Sequence, residues 1–162
     1  EGGVVNAGPG FPVLEEWAAE PFHILNGHLF AFVGIHDLLS ALPPGWPEAG
    51  EVAKLRDLFL EASLEFIRRV DMKFWTRYSL RPGLLPNIAS YFYQHLHVEM
   101  LKGLHLLTGA SPFAEYSRRW ARQMENPLFR CGAMLLKLAE KAGEEVSYRL
   151  RRARREAEEA RG

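Results

Sequence analysis

Apolar residues recur at helical spacing along most of the chain. Between 22 and 42, Phe22, Leu25, Leu29, Phe32, Val33, Ile35 and Leu39 fall mainly three or four positions apart, which marks one face of a helix. Pro21 suits the start of that helix, and Pro43-Pro44-Gly45 ends it. A second helix is predicted from about Pro47 to Val70, with Val52, Leu55, Leu58, Phe59, Ala62 and Phe66 on one face. Residues 71–86 read as a loop that closes on Arg81-Pro82-Gly83 and Pro86. A third helix follows from about Asn87 to Leu107, carrying Ile88, Phe92, Leu96, Leu101, Leu104 and Leu107. Gly109 then supplies the left-handed residue beyond its end. Ser111-Pro112 reads as the cap and first position of a fourth helix with Phe113, Tyr116, Trp120 and Met124. Pro127 opens a fifth helix with Leu128, Cys131, Leu135 and Leu138, and Gly143 divides it from a charged tail, 144–162, read as a solvated helix or a frayed end.

Residues 1–21 hold four Gly and three Pro without helical period, so an extended or looped entry segment is expected. No strand alternation follows residue 14. The fold class is therefore mostly α, built of antiparallel helical hairpins in series, 22–70 and 87–125. A helix pair of this length suggests a unit of a larger α/α assembly more than a closed bundle. The expected organisation is one α/α domain over 1–143 and a separate tail. The chain opens on Glu1-Gly2-Gly3, without Met or a signal peptide, and reads as one domain of a longer protein.

Composition narrows the function. Of 162 residues, 48% are hydrophobic and 25% charged, enough apolar surface for a core and too much for a disordered chain. Apolar runs are interrupted before membrane-spanning length. Lys+Arg is 20 and Asp+Glu is 20, a balance that argues against nucleic acid as a partner. The basic run Arg149–Arg155 is offset by Glu144, Glu145, Glu156, Glu158 and Glu159. Cys131 is the single cysteine, so neither an intrachain disulfide nor a cysteine-based zinc site can form; on its apolar helix face it reads as a buried, inert thiol. His95 and His97 are two apart on a helix and point opposite ways, so no metal site is expected. Ser111 reads as a cap, and no G-x-S-x-G accompanies it.

Antiparallel order brings three stretches to one end of the domain. They are Glu15-Glu16-Trp17; Trp75, Arg77, Tyr78 and Arg81; and Asn87, Tyr91, Tyr93, His95 and His97. Tyr93 and His97 share one face of the third helix, and Tyr91 and His95 another. Carboxylate, phenol, guanidinium and imidazole over aromatic surface suit a carbohydrate, whose C–H faces stack on rings while its hydroxyls need polar partners. Arg81 could hold a carboxylate bidentately. Trp75, Trp120, Phe92 and Phe113 read as packing residues first, and His23, His28, His36 and His105 as partly buried or surface groups.

The order of several short motifs resembles the C-terminal domain of the D-glucuronyl C5-epimerase family. They are Glu1-Gly2-Gly3-Val4-Val5, Phe11 to Trp17, Pro21 to Ala31 with its Leu25-Asn26-Gly27, and Gly34-Ile35-His36-Asp37. Asp71 to Leu80, Asn87-Ile88-Ala89, Tyr93, His97, Thr108-Gly109, Phe113 and Arg119-Trp120 continue the series, which spans about residues 1–125. The resemblance implies an α/α toroid, here an incomplete α/α barrel, that acts without a cofactor. Its members invert C5 of glucuronic acid within a polysaccharide such as the heparan precursor, giving iduronic acid. It implies Glu16, Tyr78 and Tyr93 as catalytic residues and places Arg81 and Trp17 at substrate-binding positions; Asn26, Arg77 and His97 are the further substrate-binding candidates. A uronic-acid-containing polysaccharide is the expected partner, without nucleic acid or membrane insertion, and a homodimer is among the expectations. Trp17 stands where the family has a tyrosine, Lys73 where it has Gly and Ser79 where it has Asp.

The chemistry asks for such groups. Removing the C5 proton, α to a carboxylate, builds an enolate-like dianion that a guanidinium can neutralise. Inversion needs a base on one face and an acid on the other. Expected here are Tyr93 on one face and Glu16 or Tyr78 on the other. A polysaccharide lyase, which starts with the same proton abstraction, and a non-catalytic carbohydrate-binding domain are the competing readings.

Overall fold

A computed structural model describes residues 5–6, 10–17 and 21–159 of the chain. Residues 1–4 of the family resemblance and 160–162 of the tail lie outside the described residues. Among these there are five helices: α1 (Leu25–Ala41), α2 (Ala49–Val70), α3 (Tyr91–Thr108), α4 (Ser111–Glu125) and α5 (Pro127–Glu159). A short antiparallel ribbon precedes them, β1 (Val5–Asn6) with β2 (Val13–Leu14), in the register Val5 opposite Leu14. The fold is thus mostly α.

α1 packs along α2 and α3 along α4, α1 also touches α3, α4 touches α5, and β2 lies against α1. The core is continuous across both hairpins. Leu25, Leu29 and Phe32 of α1, Phe59, Phe66 and Ile67 of α2, Leu101 and Leu104 of α3, and Phe113 and Trp120 of α4 are all buried. Trp75 and Ile88 fill it from the long loop. Each large side chain of this kind contributes about 1.5–3 kcal/mol on burial, so the core holds the loop as firmly as it holds the helices.

Two helix starts lie later than their apolar spacing predicts. α1 begins at Leu25, because Ile24 is extended and pairs with the loop: Ile24 bridges Ser79, and Leu80 N donates to His23 O at 3.0 Å. α3 begins at Tyr91 because residues 87–89 pair with 76–78, and Ser90 caps the helix by accepting from Tyr93 N at 3.3 Å. Backbone pairing with a distant segment outweighs the local helical period at both places. The α3 end is as expected, with Gly109 at φ +71°. For α4 the cap position is Ala110, and Ser111 is already helical. For α5, Asn126 Oδ1 accepts from Leu128 N at 2.9 Å and Phe129 N at 3.3 Å, satisfying two of the orphan donors of the first turn.

Several burial expectations are corrected. Phe92 is exposed, because pairing of 87–89 starts α3 late and turns its first residue pair outward. Leu55 and Leu58 are about half exposed. Cys131 is exposed, since α5 meets the body through Ala133 and Glu140 on another face. α5 runs through Gly143 without a break.

Candidate active site

The site is built on loop 71–90, which the core pins at several points. Asp71 has a fully buried carboxylate that accepts from Arg119 of α4 and from Trp120 Nε1 at 3.3 Å. It also accepts from Lys73 N at 3.2 Å, closing a tight turn in which Lys73 takes φ +71°. Trp75 Nε1 donates to Ala89 O at 2.8 Å. Thr76 N donates to Gln94 Oε1 at 3.1 Å, and Gln123 Nε2 to Lys73 O at 2.8 Å. These bonds satisfy a buried loop backbone that would otherwise cost about 1–3 kcal/mol per unpaired group.

Tyr78 and Ser79 then run as a middle strand. On one side Tyr78 N donates to Asn87 O at 2.7 Å, and on the other Leu25 N donates to Tyr78 O at 3.2 Å. The start of α1, the loop and the approach to α3 are thereby locked side by side. The phenols of Tyr78 and Tyr93 meet across this seam, with ring centroids 4.5 Å apart at 54°. The Tyr78 hydroxyl is pushed well above its ordinary value, first by burial, then by its hydrogen bond to Tyr93 and the negative charge of Glu16. It therefore remains a protonated phenol at neutral pH, a proton donor in this resting form and a strong base once it has given the proton up.

Glu16 follows β2, and its carboxylate lies over Gly27 in the first turn of α1. A Cβ at Gly27 would fall inside the Glu16 side chain, so the glycine is the seat of the carboxylate. The neighbouring Glu15 is buried and does structural work: it accepts from His23 N at 3.0 Å and from the His23 ring. This pair holds His23 at φ +51°, a left-handed conformation that non-glycine residues seldom adopt. Sequence reasoning did not find the Glu15–His23 pair. The Glu15-Glu16 doublet was visible, but which carboxylate faces inward depends on the path of the chain after β2.

The structure thus brings Glu16, Tyr78 and Tyr93 into one neighbourhood. Arg77 is half-buried and donates to Arg81 O at 3.3 Å, stiffening the backbone of the next arginine. The Arg81 guanidinium lies over the Phe22 ring, 5.0 Å from its centroid. Trp17 is 63% exposed and free to present an aromatic face. Asn26 is buried, with Oδ1 unpaired among the described residues. His97 lies deeper than a surface rim. It is fully buried beside Trp120, with ring centroids 6.2 Å apart, and burial lowers its pKa to about 3. Thr76 Oγ1 donates to Gln94 Oε1, so it must accept from His97 Nδ1 at 3.2 Å. That fixes the neutral ring with its proton on Nδ1 and directs its role to holding the loop.

A second buried imidazole supports β2. Leu14 N donates to His28 Nδ1 at 3.0 Å, which leaves the proton on Nε2, facing Ser63 Oγ at 3.0 Å. Burial lowers its pKa to about 4. Asn87 is also held from outside the hairpins: Glu140 of α5 accepts from Asn87 Nδ2 and from Ile88 N at 3.3 Å. Fifty-three residues separate Asn87 from Glu140, and no periodicity could have paired them.

A half-buried pair of phenols, an adjacent carboxylate and arginines on one braced loop are groups that can pass a proton and meet an anion. The chain matches the family described as D-glucuronyl C5-epimerase C-terminus over residues 1–122. It belongs to that family, and the matched span includes Glu16, Tyr78, Arg81 and Tyr93 and ends within α4.

Proposed function

We propose that this chain carries the proton-transfer site of a uronyl C5-epimerase, converting glucuronic acid to iduronic acid within a polysaccharide. The reading rests on family membership, and one observation carries it to these residues: Tyr78 and Tyr93 are in contact beside Glu16. Touching phenols leave no room for a sugar ring between them, so they form a single wall. The base and acid are then Glu16 on one face of C5 and the phenol pair on the other. Glu16 removes the C5 proton, and the dianion is neutralised by Arg81. Tyr78, kept protonated by its surroundings, returns a proton from the opposite face directly or through Tyr93. The forward step leaves Glu16 protonated and Tyr78 as the phenolate, and from that state the reverse reaction runs, the phenolate taking the C5 proton and Glu16 returning one. The hairpins would belong to an α/α toroid, the arrangement the family resemblance implies.

The exposed indole of Trp17 favours a second reading. An indole cannot exchange a proton as a phenol does, and it makes a good sugar-stacking face, so a carbohydrate-binding domain without turnover is the alternative.

Heavy water separates them. With the intact protein and a glucuronic-acid polymer, deuterium should enter C5 and both epimers should appear, without the unsaturated sugar a lyase would leave. Tyr93→Phe should lower exchange about a hundredfold, and Arg81→Ala should slow exchange and weaken binding together. Binding without exchange on every uronic-acid polymer tried would make the binding-domain reading the right one.

A further inference from the structure

α5 lies beyond the residues matched to the family, yet it forms one side of a groove whose other side carries Arg81. A cavity of about 240 Å³ opens between loop 81–87 and α5, lined among others by Arg81, Asn87, Glu140, Gly143, Ser147 and Arg151. A second hollow of about 390 Å³ shares Arg81 and Arg151 with it and extends along α5 to Lys141 and Tyr148. Arg81, proposed above to neutralise the dianion, thus lines both hollows.

The charges of the groove favour an anion. Glu140 has its oxygens occupied by Asn87 Nδ2, by Ile88 N and by Lys137 Nζ at 2.9 Å. Glu144 pairs with Lys141 at 3.2 Å, and Glu145 with Arg149 at 2.6 Å. Arg81 and Arg151 have no carboxylate partner among the described residues. Two uncompensated guanidinium groups, fitted for bidentate carboxylate recognition, flank the opening. Ser147 supplies a hydroxyl, and Tyr148, 58% exposed, supplies a ring. Gly143 faces open space: a Cβ there would meet no atom within 4 Å.

We infer that the α5 face from Glu140 to Arg151 is a second sugar-binding subsite, which takes a carboxylate-bearing sugar of the same polymer chain as the residue reacting at Glu16 and Tyr78. The identity of the polymer rests on the function proposed above; the groove does not. The subsite converts chain length into affinity, since a sugar held at Arg151 makes binding at Arg81 effectively intramolecular.

The test uses the intact protein and unsulfated oligosaccharides of alternating glucuronic acid and N-acetylglucosamine, from a disaccharide to an octasaccharide, titrated by calorimetry. Wild type should bind the longer chains more tightly. Gly143→Phe fills the cavity from a position with open space and should remove about tenfold of affinity for the octasaccharide while leaving the disaccharide unchanged. Gly143→Ala should bind as wild type, and both variants should keep the wild-type circular dichroism, with a melting temperature unchanged or raised as a glycine leaves the helix. Arg151→Ala should also remove the length dependence. In the deuterium assay Gly143→Phe should raise KM for long chains and leave kcat within about twofold. Octasaccharide binding unaltered by Gly143→Phe, or weakened equally for short and long chains, overturns the subsite. Length-dependent binding that Gly143→Phe removes, without any C5 exchange, supports the subsite and overturns the epimerase reading. A wild-type protein that binds none of these chains overturns both.

Discussion

Gly27 and Glu16 form a contact in which the absence of a side chain sets the position of the carboxylate proposed as the base. Replacing Gly27 by Ala adds a Cβ where the Glu16 carboxylate lies, and the carboxylate, at the end of a flexible side chain, must move. The same change favours α1, since alanine is better than glycine in a helix by about 1 kcal/mol. Gly27→Ala should therefore leave the melting temperature unchanged or raised, while C5 exchange falls about a hundredfold, as an ångström of misplacement can cause. Retained exchange would mean that Glu16 is not the base. The motif Leu25-Asn26-Gly27 was legible as a motif, but its reason was not, because the partner of Gly27 lies eleven positions back, beyond an extended segment. Tyr78 and Tyr93 were legible as members of one rim. Their direct contact was not, since it depends on loop 76–80 being drawn between two distant backbone segments.

Among the elements, loop 71–90 carries the site and is anchored by Asp71, whose carboxylate joins Arg119 and Trp120 of α4 to the turn at Lys73. Asp71→Asn keeps the shape and one acceptor but loses the charge-assisted bond to Arg119. It should cost about 1–3 kcal/mol of stability, read as a lower urea midpoint at unchanged slope. A midpoint equal to wild type would place the anchor elsewhere. The helices themselves were readable because Leu25, Leu29 and Phe32, or Leu101 and Leu104, repeat at the helical period and are buried as that period demands. The starts of α1 and α3 were not, because Phe22 and Ile88 continue the apolar period into residues that pair as extended chain. His97 shows the same limit for the site. Its spacing from Tyr93 gave the correct face of α3, while its depth is set by Trp120 and Thr76.

For the whole molecule, two buried neutral imidazoles give stability a pH dependence. His28 has its pKa lowered to about 4 and His97 to about 3, both by burial. In the unfolded chain each titrates near 6.5. Between those limits the unfolded state binds more protons than the native state, so stability rises with pH. It is fully present above about pH 6.5 and is lost as the pH falls toward the folded values. The urea midpoint should drop between pH 7 and pH 5, with a proton uptake on unfolding that approaches two. His97→Gln should remove about one of these protons; a pH profile identical to wild type would show that His97 does not contribute. At this scale α5 also alters the shape. Its 33 residues extend about 50 Å at 1.5 Å per residue, whereas a compact chain of 162 residues has a radius of gyration of about 15 Å, a diameter near 40 Å. The helix outreaches a compact body of this chain length, so tumbling is anisotropic. Rotation about the long axis is faster than end-over-end rotation, and a reporter on the exposed Cys131 thiol would experience both.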